Sequence, residues 1–113
     1  MIEPRAATGL LVSALIRRIE AEGGSAMVIA KGDAVAGAML LLVADRGVLA
    51  GLYERVWRFE GGHGLERVGP DDLSAPGVAA DYVARRRRSD PDLWAIEIDH
   101  RDAERIAREV LIS

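Results

Sequence analysis

Four consecutive guanidinium groups, Arg85, Arg86, Arg87 and Arg88, run directly into S-D-P-D-L-W-A-I-E-I-D, and no other stretch of the chain is so densely charged. Arginine forks suit anions: carboxylates, phosphates and the RNA backbone. On a helix turning about 100° per residue the four cannot share a face, and only Arg85 and Arg88 do. The candidate anion-binding set is Arg86, Arg87 and Arg88, joined by Arg17 and Arg18 from an upstream helix. The competing reading is structural. Cations in a last helical turn stabilise its carbonyl end, Asp81 stands four residues before Arg85, and Asp90 and Asp92 offer counter-charges. It carries more weight, because such charges are commonly just solvated.

Asp90, Asp92, Glu97 and Asp99 are the candidate acidic cluster beside the arginine run. On one strand face Glu97 and Asp99 stand roughly 6–7 Å apart, a range used by acid/base pairs and hard metal ions. With His100 they define a carboxylate-based hydrolase or metal enzyme as one alternative. A solvent-facing half of an antiparallel strand is the preferred explanation. His100 points away from Asp99 in a continuing strand, His63 sits in a glycine loop, and no third ligand is in register, so no metal is expected. The serines lie in no nucleophile-elbow context, and G-G-H-G lacks the Lys and Ser/Thr of a phosphate loop. No catalytic residue and no cofactor follow from these patterns. Trp94 shares its face with Ile96 and Ile98 and reads as core. Tyr53, Trp57 and Phe59 could form an exposed aromatic patch for a partner chain.

Composition narrows the classes further. The chain of 113 residues is 50% hydrophobic but only 4% aromatic, so its core is aliphatic. Fifteen cations against eighteen anions leave a net charge of −3, which gives no field to gather nucleic acid or anionic lipid. Lys31 is the only lysine, and asparagine and glutamine are missing, as a GC-rich coding bias would produce. Without cysteine there is no disulfide, thiolate nucleophile or Cys-ligated metal. The start M-I-E-P-R has no basic leader, and neither Leu10–Ile16 nor Ala36–Ala44 is long enough to span a bilayer. A cytoplasmic protein is expected.

The elements that must position these groups are mostly legible. Leu11, Val12, Leu15, Ile16 and Ile19 recur at helical spacing after Thr8, a candidate cap, and before the stop Gly23-Gly24. S-A-M-V-I-A-K and A-M-L-L-L-V-A flank a glycine-containing connection and read as a hairpin, the second run apolar enough to lie centrally. Leu49 to Glu60 fits a helical stripe, but its β-favouring residues and the following G-G-H-G favour a second hairpin. Ser74 is the candidate cap of a helix that must end near Ser89, because Asp90 precedes Pro91. A strand L-W-A-I-E-I-D and a last helix beginning at Asp102 follow, with Glu104–Arg108 and Arg105–Glu109 pairing at i,i+4. The order α-β-β-β-β-α-β-α predicts one α+β domain over residues 1–113, with a largely antiparallel sheet of four to five strands and helices packed on one face.

Three stretches, L-L-V-S-A-L-I-R-R, K-G-D-A-V-A-G and R-R-R-R-S-D-P-D-L-W-A-I-E-I-D, give the chain a family likeness. On them it resembles a small, mostly alphaproteobacterial family known as domain of unknown function 1491. The resemblance implies a compact cytosolic α+β protein with no assigned activity and no catalytic residues to carry over. The residues themselves favour a non-enzymatic module working through protein–protein contact, by self-association or with an unknown partner. A phosphate- or nucleotide-binding protein is the first alternative.

Overall fold

A computed structural model describes residues 7–58 and 60–112. Its elements are α1 (Thr8–Ala21), β1 (Ser25–Ala30), β2 (Met39–Asp45), β3 (Val48–Trp57), β4 (His63–Val68), α2 (Val78–Ser89), β5 (Trp94–Asp99) and α3 (Ala103–Leu111). The order is the one read from the sequence, and the α+β class with a mostly antiparallel sheet holds. Leu49 to Trp57 is strand, paired with β4 from Leu52↔Val68 to Trp57↔His63. Here β-branched and aromatic residues outweigh a good helical stripe.

The sheet order is β1-β5-β2-β3-β4. The expected β1–β2 hairpin is therefore not formed: β5 lies between them, antiparallel to β1 and parallel to β2. The reason lies in the connection 31–38, which is no tight turn. It arches over the start of β5, where Asp33 N donates to Asp92 O at 3.0 Å and Trp94 N donates to Ala38 O at 2.8 Å. A Cβ on Gly32 or Gly37 would come within 2.1 or 2.3 Å of Asp92 O, so both positions need glycine for this close approach. With a strand on each side, β2 buries every residue from Met39 to Ala44, as its unbroken apolar run demands.

The expectation of helices on one face holds only for α1 and α3. They cover the face carrying Met39, Leu41, Val43, Trp94, Ile96 and Ile98. The opposite face, with Leu40, Leu42, Leu52, Leu93 and Ala95, is closed by Ala79 and Val83 of α2. Strand alternation forces this division, because β2, apolar at every position from Met39 to Ala44, needs cover on both sides.

Two expected caps are also reassigned. Thr8 Oγ1 donates to Gly37 O at 2.8 Å, tying the start of α1 to the arch. Ser74 Oγ donates to Asp72 Oδ1 at 2.6 Å, and α2 starts at Val78 after Gly77, whose φ is +83°. Among the described residues no helix is long and apolar enough to cross a membrane.

Candidate protein-interaction edge and the charged surfaces

The basic run does not gather around an open site. Arg86 Nη1 donates to Glu54 Oε1 at 2.7 Å and to Tyr82 Oη at 3.1 Å, and those two partners raise its pKa further. Arg87 reaches three backbone carbonyls: Leu93 O at 3.1 Å, Lys31 O at 3.1 Å and Pro91 O at 2.9 Å. One guanidinium thus fastens the end of α2 to the arch and to the start of β5. Arg85 lies 5.6 Å from the centre of the Tyr82 ring, in cation–π range. Arg88 is exposed.

Arg17 and Arg18 do not join them, because α1 packs on the other face of the sheet. Arg17 is exposed. Arg18 belongs to a closed ring of charges across the α1–α3 seam, touching both Glu22 and Glu109. Arg105 completes it at 3.5 Å from Glu22 and 3.0 Å from Glu109. Hydrogen bonds from Arg18 are the main cause that holds the Glu22 and Glu109 carboxyls below the ordinary range. Arg108 pairs with Glu104 at 2.9 Å, the i,i+4 partner read from the sequence. A shallow open depression along the outer side of α3 is lined by Arg101, Asp102, Glu104, Arg105, Arg108 and Glu109.

The acidic candidates are similarly separated. Asp99 Oδ1 accepts from Arg46 N at 2.9 Å and Oδ2 from Gly47 N at 2.8 Å. It pins the β2–β3 turn, where Arg46 and Gly47 have φ of 52° and 79°. Glu97 is half-buried beside Met27 in the sheet. Asp90 Oδ1 accepts from Asp92 N at 3.2 Å, a local turn after α2. His100 turns away from both: Nδ1 accepts from Asp102 N at 2.9 Å, leaving Nε2–H to donate to Glu22 O at 3.0 Å. Among the described residues no three His, Asp or Glu side chains are placed to share a metal ion.

The aromatic candidates divide as well. Tyr53 is half-buried and donates to Glu104 Oε1 at 2.8 Å. Burial first, and that carboxylate second, push its hydroxyl pKa up, while the same hydrogen bond draws Glu104 down. Trp57 is 59% exposed and meets the His63 ring edge-on, with centroids 5.1 Å apart. Phe59 lies outside the described residues.

A surface that sequence reasoning missed is β1 itself. With β5 inserted, β1 becomes an outer strand, and among the described residues no other strand pairs with its far edge. It has no charged residue from Ser25 to Ala30, and Met27, Val28 and Ile29 are 60%, 39% and 45% exposed. At the opposite edge, β4 carries Glu66 and Arg67, both exposed, the usual protection of a free strand. The signal in the sequence was S-A-M-V-I-A without a charge. It was masked by the expectation that β2 would pair with it.

Fold and site together define a small α+β protein: a five-stranded sheet covered on both faces, with one outer strand left bare. The chain belongs to the family described as "Protein of unknown function (DUF1491)", which matches residues 6–108. It is similar to a DUF1491 family protein from Caulobacter crescentus CB15 solved by crystallography. Identity is 38% over 88% of this chain and 92% of that one, with a TM-score of 0.75. An NMR structure of a DUF1491 family protein from the same organism is 36% identical over 88% and 90% of the two chains, with a TM-score of 0.69. The solution structure of protein Atu0922 from A. tumefaciens is 32% identical over 85% and 86%, also with a TM-score of 0.69. None of the curated proteins matches. Two of the stretches that carried the family likeness meet in space: Arg87 bonds Lys31 O, and Trp94 Nε1 donates to Asp33 O at 2.7 Å. Just ahead of the first stretch, Thr8 and Gly9 bond the same arch at Val35, Ala34 and Gly37.

Proposed function

We propose that this protein is a non-enzymatic cytoplasmic module that binds another polypeptide, and that β1 is the edge it offers. The observation that carries the reading is the bare strand: three consecutive exposed apolar residues, Met27, Val28 and Ile29, on an open sheet edge. An extended segment laid there gains ladder hydrogen bonds from backbone groups otherwise spent on water, while its side chains cover the apolar run. Phosphate or nucleotide binding has less support, because Arg86 and Arg87 are engaged within the fold and Arg18 lies across the sheet from them. Carboxylate-based catalysis has less support too, since Asp99 is spent on a turn and His100 faces the other way.

A photo-reactive amino acid placed at Met27, or at Glu66 as the control edge, tests this in cells making the full chain. The expected result is a polypeptide adduct at position 27 and little at 66. Equal labelling at the two edges, or none at position 27, would remove the proposal.

A further inference from the structure

Resting on the reading of β1 as the interaction edge, we infer that its partner is a second copy of this chain, paired antiparallel across a two-fold axis at Met27. A two-fold axis demands a strand that complements itself. The regular part of β1 does so. Its register with β5 is continuous from Ser25 to Val28 and shifts only between Val28 and Ala30. An axis at Met27 sets Met27 against Met27 on one face of the joined sheet and Ala26 against Val28 on the other. These pairs are apolar, and no charge meets its own kind.

The surroundings tolerate the arrangement. Glu97 neighbours Met27 on β5, so the two copies of Glu97 stand three strand spacings apart, about 14 Å, beyond the screening length of roughly 8–10 Å. Above the sheet, α1 packs on β1 and β5 and α3 on β2 and β4. A helix centred over the β1–β5 boundary would lie about 10 Å from its symmetry mate, an ordinary helix-packing distance. Arg18 and Glu22 turn toward α3, so helical spacing puts half-buried Ile16 on the flank above the β1 edge. The two-fold therefore joins both layers, with Ile16 able to approach its own copy. A single short strand and one helix flank make a small interface, so a dissociation constant in roughly the micromolar range is expected.

Sedimentation of the pure full-length chain from about 1 to 500 μM should show a monomer–dimer equilibrium, bracketing that micromolar range. Met27→Lys, which places two ammonium groups at the axis, should weaken it at least about tenfold, while Glu66→Lys on the other edge leaves it unchanged. Because the chain has no cysteine, Met27→Cys supplies a second reading. Directly opposed residues in such a ladder have Cα atoms about 4.5–5.5 Å apart, within disulfide reach, so mild oxidation should link the dimer, and Glu66→Cys should not. A monomer at every concentration, or a dimer indifferent to Met27→Lys and not linked through Met27→Cys, overturns the inference. If the pure chain stays monomeric while position 27 still labels a different polypeptide in cells, the two-fold falls and the interaction reading stands. If position 27 labels nothing, both fall.

Discussion

On one face of the sheet α1 buries Val12, Leu15 and Ile19 and α3 buries Ile106, Ala107 and Leu111; on the other, α2 buries only Ala79 and Val83. The first face is closed by apolar volume, with the charged ring Arg18–Glu22–Arg105–Glu109 laid over its outer seam. The second is closed by a thin helix held through polar contacts: Arg86 to Glu54 and Tyr82, and Arg87 to three carbonyls. The same residue type thus does different work on the two faces. Over a deep core, arginines decorate a joint that already exists. Over a shallow one they make the joint.

Removing apolar volume gives the sharpest contrast. Ile106→Ala, at a fully buried position under α3, should cost about 2–5 kcal/mol of unfolding free energy, whereas Val83→Ala under α2 should cost only about 1–2 kcal/mol. Denaturant titration measures both, and equal losses would erase the distinction between the faces.

Next in size is the polar joint. Arg87→Ala leaves three carbonyls without their donor and should cost about 1–3 kcal/mol, while Arg88→Ala, next to it and exposed, should stay within about 0.5 kcal/mol. Arg87→Lys should not restore stability, because an ammonium cannot span the carbonyls that the planar fork reaches. Indistinguishable Arg87 and Arg88 variants would return the run to a solvated helix end.

The smallest effect belongs to the ring. Glu22 and Glu109 have lowered pKa values in the folded chain, so their contribution is complete above the ordinary glutamate pKa of about 4.3 and is lost as pH falls through the lower folded values. The stability difference between the native chain and Glu22→Gln should be present at neutral pH, shrink in acid, and fade as salt is added. A difference that persists at low pH and high salt would mean the ring is more than a surface ornament.

Much of this was legible in the chain because it is local. The helical stripe of α1, the four-residue pairs of α3 and the stop before Pro91 all concern residues a few positions apart. The β3–β4 hairpin was readable because G-G-H-G and β-favouring residues outvoted a helix-like spacing. Harder to read were contacts over long separations. Asp99 pins a turn more than fifty residues upstream, and Arg87 binds Lys31 O across a similar gap. Thr8 spent its hydroxyl on Gly37 O, far along the chain, while Ser74 spent its own on the nearby Asp72 carboxylate, a local side-chain bond that competes with capping.

The amino-acid order alone determined eight elements, their types and the α+β class, through periodicity and turn chemistry that act within about ten residues. Tertiary structure decided which strand sits beside which, that α2 closes the second face, and that β1, paired with β5, is the outer strand of the described sheet. Those outcomes depend on β5, far along the chain, slotting between β1 and β2, because a strand on each side lets the unbroken apolar run of β2 bury both of its faces.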